Sequence, residues 1–305
     1  MPDRVIDRLA PFAFVLLWSS SFIAARVGLR HMTPLLFVAL RMVLCALVLL
    51  GAMLVLRRPW GVLRGRWVHC AVAGVLIHSV LLMTAHVAMT RIPAAPIALV
   101  QTLNPLLTAA LAWPVLGERL RPVQWLGLLL GAAGVVLIVG LAALQSRVEL
   151  RLLLWTVGGV VALCGGTLYF GRYCRGVPVL EGTTVQFLAA AAACVLSMLA
   201  FESPHGDWSG EAVAAVAWNA AFVSLGGMAL YFLMLRRGTA ARATANFYLV
   251  PGMAALLAWW LLGEHLAALA VVGLAVSSVG CWLVSWGHAD RPGVLLPHAE
   301  RSAGR

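Results

Sequence analysis

The stretch NPLLTAALAWPVLGERL, Asn104 to Leu120, runs apolar helix-formers into Gly117 and Glu118, and VPGMAALLAWWLLGEHL, Val250 to Leu266, repeats the design. Pro105 and Pro251, Trp113 and Trp259, Gly117 and Gly263, and Glu118 and Glu264 are each 146 residues apart. The same offset relates Arg26 to Arg172, Arg91 to Arg237, Gly127 to Gly273 and Gly134 to Gly280. A register that holds without gaps over most of the chain means two copies of one unit. Each copy carries five apolar spans, and five is odd, so the second copy enters a membrane from the opposite side. Such inverted repeats place a transporter's substrate site at the repeat interface near the bilayer midplane.

Composition supports the membrane reading. Of 305 residues, 62% are hydrophobic and 11% charged, against about 25% charged in soluble domains. Apolar runs long enough to cross a hydrocarbon core of about 30 Å are expected at 9–29, 34–56, 68–89, 96–116, 123–144, 152–171, 179–201, 212–235, 239–262 and 266–286. The expected fold is an all-α integral membrane protein with ten transmembrane helices in two inverted five-helix repeats. Its parts are an N-terminus at 1–8, a first repeat at 9–144, a linker at 145–151, a second repeat at 152–287 and a polar tail at 288–305. The first run is long and lacks an A-x-A cleavage pattern, so it reads as a span and not a signal peptide.

The net charge of +11 comes from 22 basic residues, all arginine. Sixteen fall in loops on one side if the N-terminus is cytoplasmic, and five, Arg26, Arg30, Arg91, Arg147 and Arg151, fall opposite. The positive-inside rule then sets both termini in the cytoplasm, and the charge needs no nucleic-acid partner. Six cysteines without CxxC spacing read as small core residues, with no metal or cofactor implied.

On WSSSF (Trp18 to Phe22), TPLLFVALR (Thr33 to Arg41) and the twin Pro to Gly-Glu segments, the chain resembles the EamA family of the drug/metabolite transporter superfamily. The resemblance spans about 9–287. It implies ten helices in an inner membrane and a central cavity lined by the first, third and fourth helices and their counterparts. It also implies efflux of amino acids, metabolites or drug-like compounds. CGGTL (Cys164 to Leu168) stands where WSSSF would repeat, which breaks the symmetry of the two linings.

Several residues could carry transport. Pro105 and Pro251 each remove a backbone hydrogen bond inside a span and free a carbonyl four residues earlier, with Gln101, Asn104, Asn246 and Tyr248 gathered around the breaks. His78 and His86 differ by 80° around a helix and about 12 Å along it, too far apart to share a metal. Trp18 beside Ser19, and Tyr231, could meet a planar substrate. Arg41, seven residues past Pro34, is costly at membrane depth; the family often has a basic residue there, and snorkelling to the outer interface competes with holding a substrate carboxylate or phosphate. Gly117 and Gly263 suit helix ends, while Glu118 and Glu264 precede the next helix, where its dipole favours a carboxylate; all four read as interfacial structure. Gly127 and Gly131, with Gly273 and Ser277, suit close helix contact.

The expected activity is secondary transport of small metabolites, amino acids or related compounds, by alternating access, with export as its direction. A multidrug carrier is the alternative, weakened because no Asp or Glu lies mid-span. An integral membrane enzyme acting on a lipid-linked substrate is a remoter one, since the loops are too short to hold convergent catalytic groups. Expected partners are a small-molecule substrate and the lipid bilayer, with the chain a monomer or homodimer.

Overall fold

The computed structural model describes residues 2–63, 65–92, 97, 100–117, 119–145, 149–262 and 268–286. Glu118, Gly263, Glu264 and the tail at 288–305 lie outside them. Helices come in chain order: α1 Pro2–Gly28, α2 Pro34–Val55, α3 Trp67–Met89, α4 Leu103–Leu116, α5 Pro122–Gln145, α6 Leu150–Tyr173, α7 Val179–Phe201, α8 Gly210–Arg237, α9 Ala240–Leu261 and α10 Ala268–Ser285. Eight of these are long and apolar enough to cross a membrane; α4 and the Pro122–Ile138 part of α5 are apolar but shorter. Helix is what such sequences must form in hydrocarbon, because only helix satisfies every backbone group within one segment.

Polar side chains appear where helices begin and end. Pro34 opens α2 at a position whose N–H has no helical partner. The carboxylate of Glu202, beyond α7, accepts from the backbone N–H of Leu35 and Leu36 at 3.0 and 2.9 Å. A negative charge thus meets the positive end of α2. Ser209 and Thr239 cap α8 and α9 through Ala212 and Arg242 at 3.2 Å. Gly117 ends α4 with φ +74°, a left-handed conformation that costs glycine little.

Packing follows the repeat. Helix α1 lies against α8 and α9, and its counterpart α6 lies against α3 and α4; α2 pairs with α7, and α5 with α10. The α5–α10 seam is built from small residues. A Cβ on Gly127 would stand 2.7 Å from the Gly280 carbonyl, one on Gly273 would meet Gly134, and Ser277 donates to the Gly131 carbonyl at 3.3 Å. Backbones approach this closely only where side chains are absent or small.

The third helix of each half is wound wide at matching register. Val75–Val80 and Asn219–Gly227 are π-helical, and adding 146 to the first range gives 221–226, inside the second. Such segments frequently mark functional sites. At one end of the bundle, Met32 bridges Gly206, Thr33 donates to the His205 carbonyl at 2.9 Å, and His31 faces Asp207 at 3.3 Å. The 29–33 turn and the 202–209 loop are therefore tied together there.

Pro105 and Pro251 each lie just after an irregular turn of the chain. Helix α9 breaks ahead of Pro251, in a 3-10 turn at Asn246–Leu249, and regular helix resumes at Val250. Pro251 occupies the second position of that resumed helix, where its missing N–H costs little. Pro105 is likewise the third residue of α4, just after Thr102. The break before Pro251 thus falls in the middle of α9, at the residue whose carbonyl the proline leaves without an N–H partner, Phe247, while Pro105 stands near the start of α4.

Candidate substrate-binding site

A small cavity of about 30 Å³ lies between α1 and the α3–α4 pair, toward the end carrying the 29–33 turn. It is lined by Trp18, Ser21 and Phe22 of α1, Arg41 of α2, His86 of α3 and Gln101 ahead of α4, with alanine, leucine and methionine side chains between. A water needs roughly 10–15 Å³ by this measure, so there is space for about two waters. Nothing much larger than that fits in the space as it stands.

Arg41 is 2% exposed and sits inside the bundle, not at the interface that snorkelling would require. Its Nε donates to Ser224 Oγ at 2.6 Å, while its Nη1 has no hydrogen-bond partner. Among the described residues no carboxylate forms an ion pair with it. A buried charge left uncompensated costs several kcal/mol, by order of magnitude.

His86 is 4% exposed and stacks on Phe37 with centroids 5.6 Å apart. Its Nδ1 lies 2.8 Å from the Leu82 carbonyl. A carbonyl only accepts, so Nδ1 carries the proton, and in the neutral ring Nε2 is an acceptor. That Nε2 is buried and has no partner.

The other residues singled out from the sequence are dispersed. His78 lies away from the cavity, stacked on Phe187 at 4.3 Å with its Nε2 3.3 Å from Gln186 Oε1. Ser19 is buried and donates to the Val250 carbonyl at 3.1 Å, tying α1 to α9. Asn104 accepts from Thr108 at 3.3 Å. Tyr248 packs its ring over Gly131 in the α5–α10 seam. Asn246 donates to the Ala243 carbonyl at 3.1 Å and borders a larger cavity, of about 530 Å³, bounded by α1, α8, α9 and α10. That cavity has the volume of a ligand pocket, but it does not lie between α1 and the α3–α4 pair.

Tyr231 belongs to a group that sequence reasoning missed. Its hydroxyl is 3.3 Å from Thr167 Oγ1, and its ring stacks on Phe14 at 5.8 Å. Phe247 meets Trp18 edge-on at 5.0 Å, and Phe170 meets Phe232 at 4.9 Å. Offset by 146, Ala85, His86 and Gln101 become Tyr231, Phe232 and Phe247. The space that is a polar cavity in one half is therefore filled by aromatic rings in the other. Arg41 becomes Phe187, and Ser224 is the counterpart of His78. The Arg41–Ser224 and Phe187–His78 contacts are thus one contact made twice, once polar and once aromatic. The 146-residue register carried this signal in the sequence.

A transporter YedA of the inner membrane of Escherichia coli (strain K12), described as uncharacterized, is 26% identical over 279 residues, covering 91% of this chain and 90% of its own length. A probable terminal-alkyne amino-acid exporter of Streptantibioticus cattleyicolor is 28% identical over 279 residues, covering 89% of this chain and 90% of its own. A solved crystal structure superposes with a TM-score of 0.74 at 25% identity, over 91% of this chain and 95% of that one. The model of the EamA-like transporter family matches twice, at residues 9–140 and 150–286. Two matched segments that together take in nearly the whole chain, on a bundle of apolar helices, make this protein a member of the EamA-like transporter family.

Proposed function

We propose that the protein is a secondary transporter of ten membrane helices in two inverted repeats, with both termini cytoplasmic, that exports amino acids or related small metabolites by alternating access. The observation that carries this reading is the cavity between α1 and α3–α4, where two buried nitrogens, Arg41 Nη1 and His86 Nε2, stand without partners. Polar groups at membrane depth that do not satisfy one another fit a site whose partner arrives with the substrate. The exporter named for an amino acid among the relatives supports the substrate class. In this reading the state described here is occluded, with the aromatic cluster closing the cytoplasmic half.

Transport in this scheme runs down the substrate's own gradient or by exchange. His78, the histidine buried against Gln186 and Phe187 away from the cavity, packs helices and carries no proton. The test is counterflow of radiolabelled amino acids in proteoliposomes, with and without an imposed pH gradient. Saturable counterflow indifferent to the gradient is expected. His78→Ala should keep the half-saturating concentration within about twofold, while losing about 2–5 kcal/mol of stability with its stack, its hydrogen bond and the cavity left behind. Uptake that collapses without the gradient, and loses that dependence in His78→Ala, would make His78 the proton carrier.

A further inference from the structure

The two unpartnered nitrogens are chemically opposite, and this limits what fits between them. Arg41 Nη1 can only donate and carries positive charge; His86 Nε2, with the ring proton committed to the Leu82 carbonyl, accepts. Neither satisfies the other. Both line one cavity with Gln101, and the aromatic rings of Trp18 and Phe22 complete the wall. A simple anion would satisfy Arg41 and leave the His86 lone pair facing it. A cationic drug would satisfy His86 and meet the guanidinium with like charge. A zwitterion answers both.

We propose that Arg41 and His86 form the head-group subsite for a free α-amino acid, with the carboxylate on Arg41 and the ammonium on His86. The inference rests on the transport reading above and deepens it by naming the recognised chemical group. Burial makes the pair selective. A guanidinium and a carboxylate brought together away from water form a charge-assisted pair about twice as strong as a neutral hydrogen bond. A ligand lacking one charge leaves one buried group unpartnered, and discrimination by such groups is strong. The ammonium also lies within the field of aromatic faces, which attract cations. Ser224 is a positioning residue: by accepting from Nε it fixes which edge of the guanidinium faces the cavity.

The second repeat shows what the site lacks when it is not needed. Phe187 and Phe232 replace the arginine and the histidine, and both are buried in a packed core. The fold itself accepts aromatic side chains at these two places, so the polar pair is not a requirement of helix packing.

The experiment is thermal unfolding of the purified full-length chain in detergent with each of the twenty standard L-amino acids, its amide and its des-amino carboxylate. For the side chain that binds best, the zwitterion should raise the melting temperature. The amide and the des-amino acid should need at least about tenfold higher concentration for the same shift. Arg41→Leu should abolish the response to the zwitterion and make it bind no better than the amide. Arg41→Lys should retain part of the response, and His86→Phe should erase the preference for the zwitterion over the des-amino acid. Absence of any response across the twenty zwitterions, or equal responses to zwitterion, amide and des-amino acid, would overturn the proposal. The analogue series on the unaltered chain decides this even if a variant fails to fold. Counterflow of another solute class in the absence of zwitterion binding would overturn the subsite alone and leave the transport reading standing.

Discussion

Leucine in place of Gly166 is expected to leave little folded protein, whereas leucine at the adjacent Gly165 is expected to be tolerated. A Cβ on Gly166 would lie 2.8 Å from both Leu76 Cβ and Ile77 Cγ1 of α3, while one on Gly165 meets nothing within 4 Å. Gly159, one heptad earlier on the same face, would place its Cβ 3.0 Å from Leu81 Cα. These two glycines let α6 lie directly on the π-wound part of α3 and the turn after it. Three further carbons beyond Cβ cannot be absorbed without parting the helices. Overpacking of this kind costs roughly 1–3 kcal/mol in ordinary cores, and more where backbone must shift. At Gly165 a side chain enters open space and helix propensity improves by up to about 1 kcal/mol. Yield and melting temperature by fluorescence-detected size exclusion separate the two; equal behaviour of the neighbours would show that α3 and α6 do not pack as described.

The second large effect is expected from opening the aromatic half. Tyr231→Ala with Phe247→Gln gives the second repeat the residues that the first carries at Ala85 and Gln101. Phe14, Trp18 and Phe247 now pack around Tyr231 with centroids 5.0–5.9 Å apart where they touch. Removing large buried rings costs about 3–5 kcal/mol each when the space stays empty. Helix movement or water entry relieves that cost, and either favours a conformation open on this side. Cys164, the counterpart of Trp18, is buried there. In a variant retaining Cys164 as its sole cysteine, N-ethylmaleimide should react at least about tenfold faster once both rings are removed, a shift of about 1.4 kcal/mol in accessibility. An unchanged rate would mean that the aromatic cluster is a static core and not a gate.

Much of the architecture was legible in the sequence because its cause is periodic and local. Runs of apolar residues set the spans, and Gly117 marked the end of α4. Gly127 and Gly131, with Gly273 and Ser277, announced the close helix contact that is the α5–α10 seam. Arg41 was harder. Whether an arginine ten ångströms into a helix snorkels or turns inward depends on what faces it, and Ser224 stands 183 residues away in sequence. The two histidines illustrate the same limit. An 80° separation puts them on one broad face, but α3 has different neighbours across that face. His78 is taken up by α7, and His86 looks into the gap beside α1. The prolines announced broken helices, and the 3-10 turn in α9 contains Phe247, four residues before Pro251, whose carbonyl loses its partner. The 146-residue register was visible from the start, yet its consequence emerged only when equivalent positions were compared in space. Alanine against tyrosine and glutamine against phenylalanine turn one half into a cavity and the other into a plug.

In the transport cycle proposed above, the space beside α1 opens alternately to the two sides of the membrane. Ser21 lines the cavity and donates to Asn219 Oδ1 at 2.8 Å, so Ser21→Cys in a chain otherwise free of cysteine reports on that space with little change of volume. Its reaction with a membrane-impermeant maleimide would be measured in right-side-out and in inside-out vesicles. Alternating access predicts labelling from both faces, with a saturating transported amino acid changing both rates. Labelling from one face only, under every substrate condition, would contradict it.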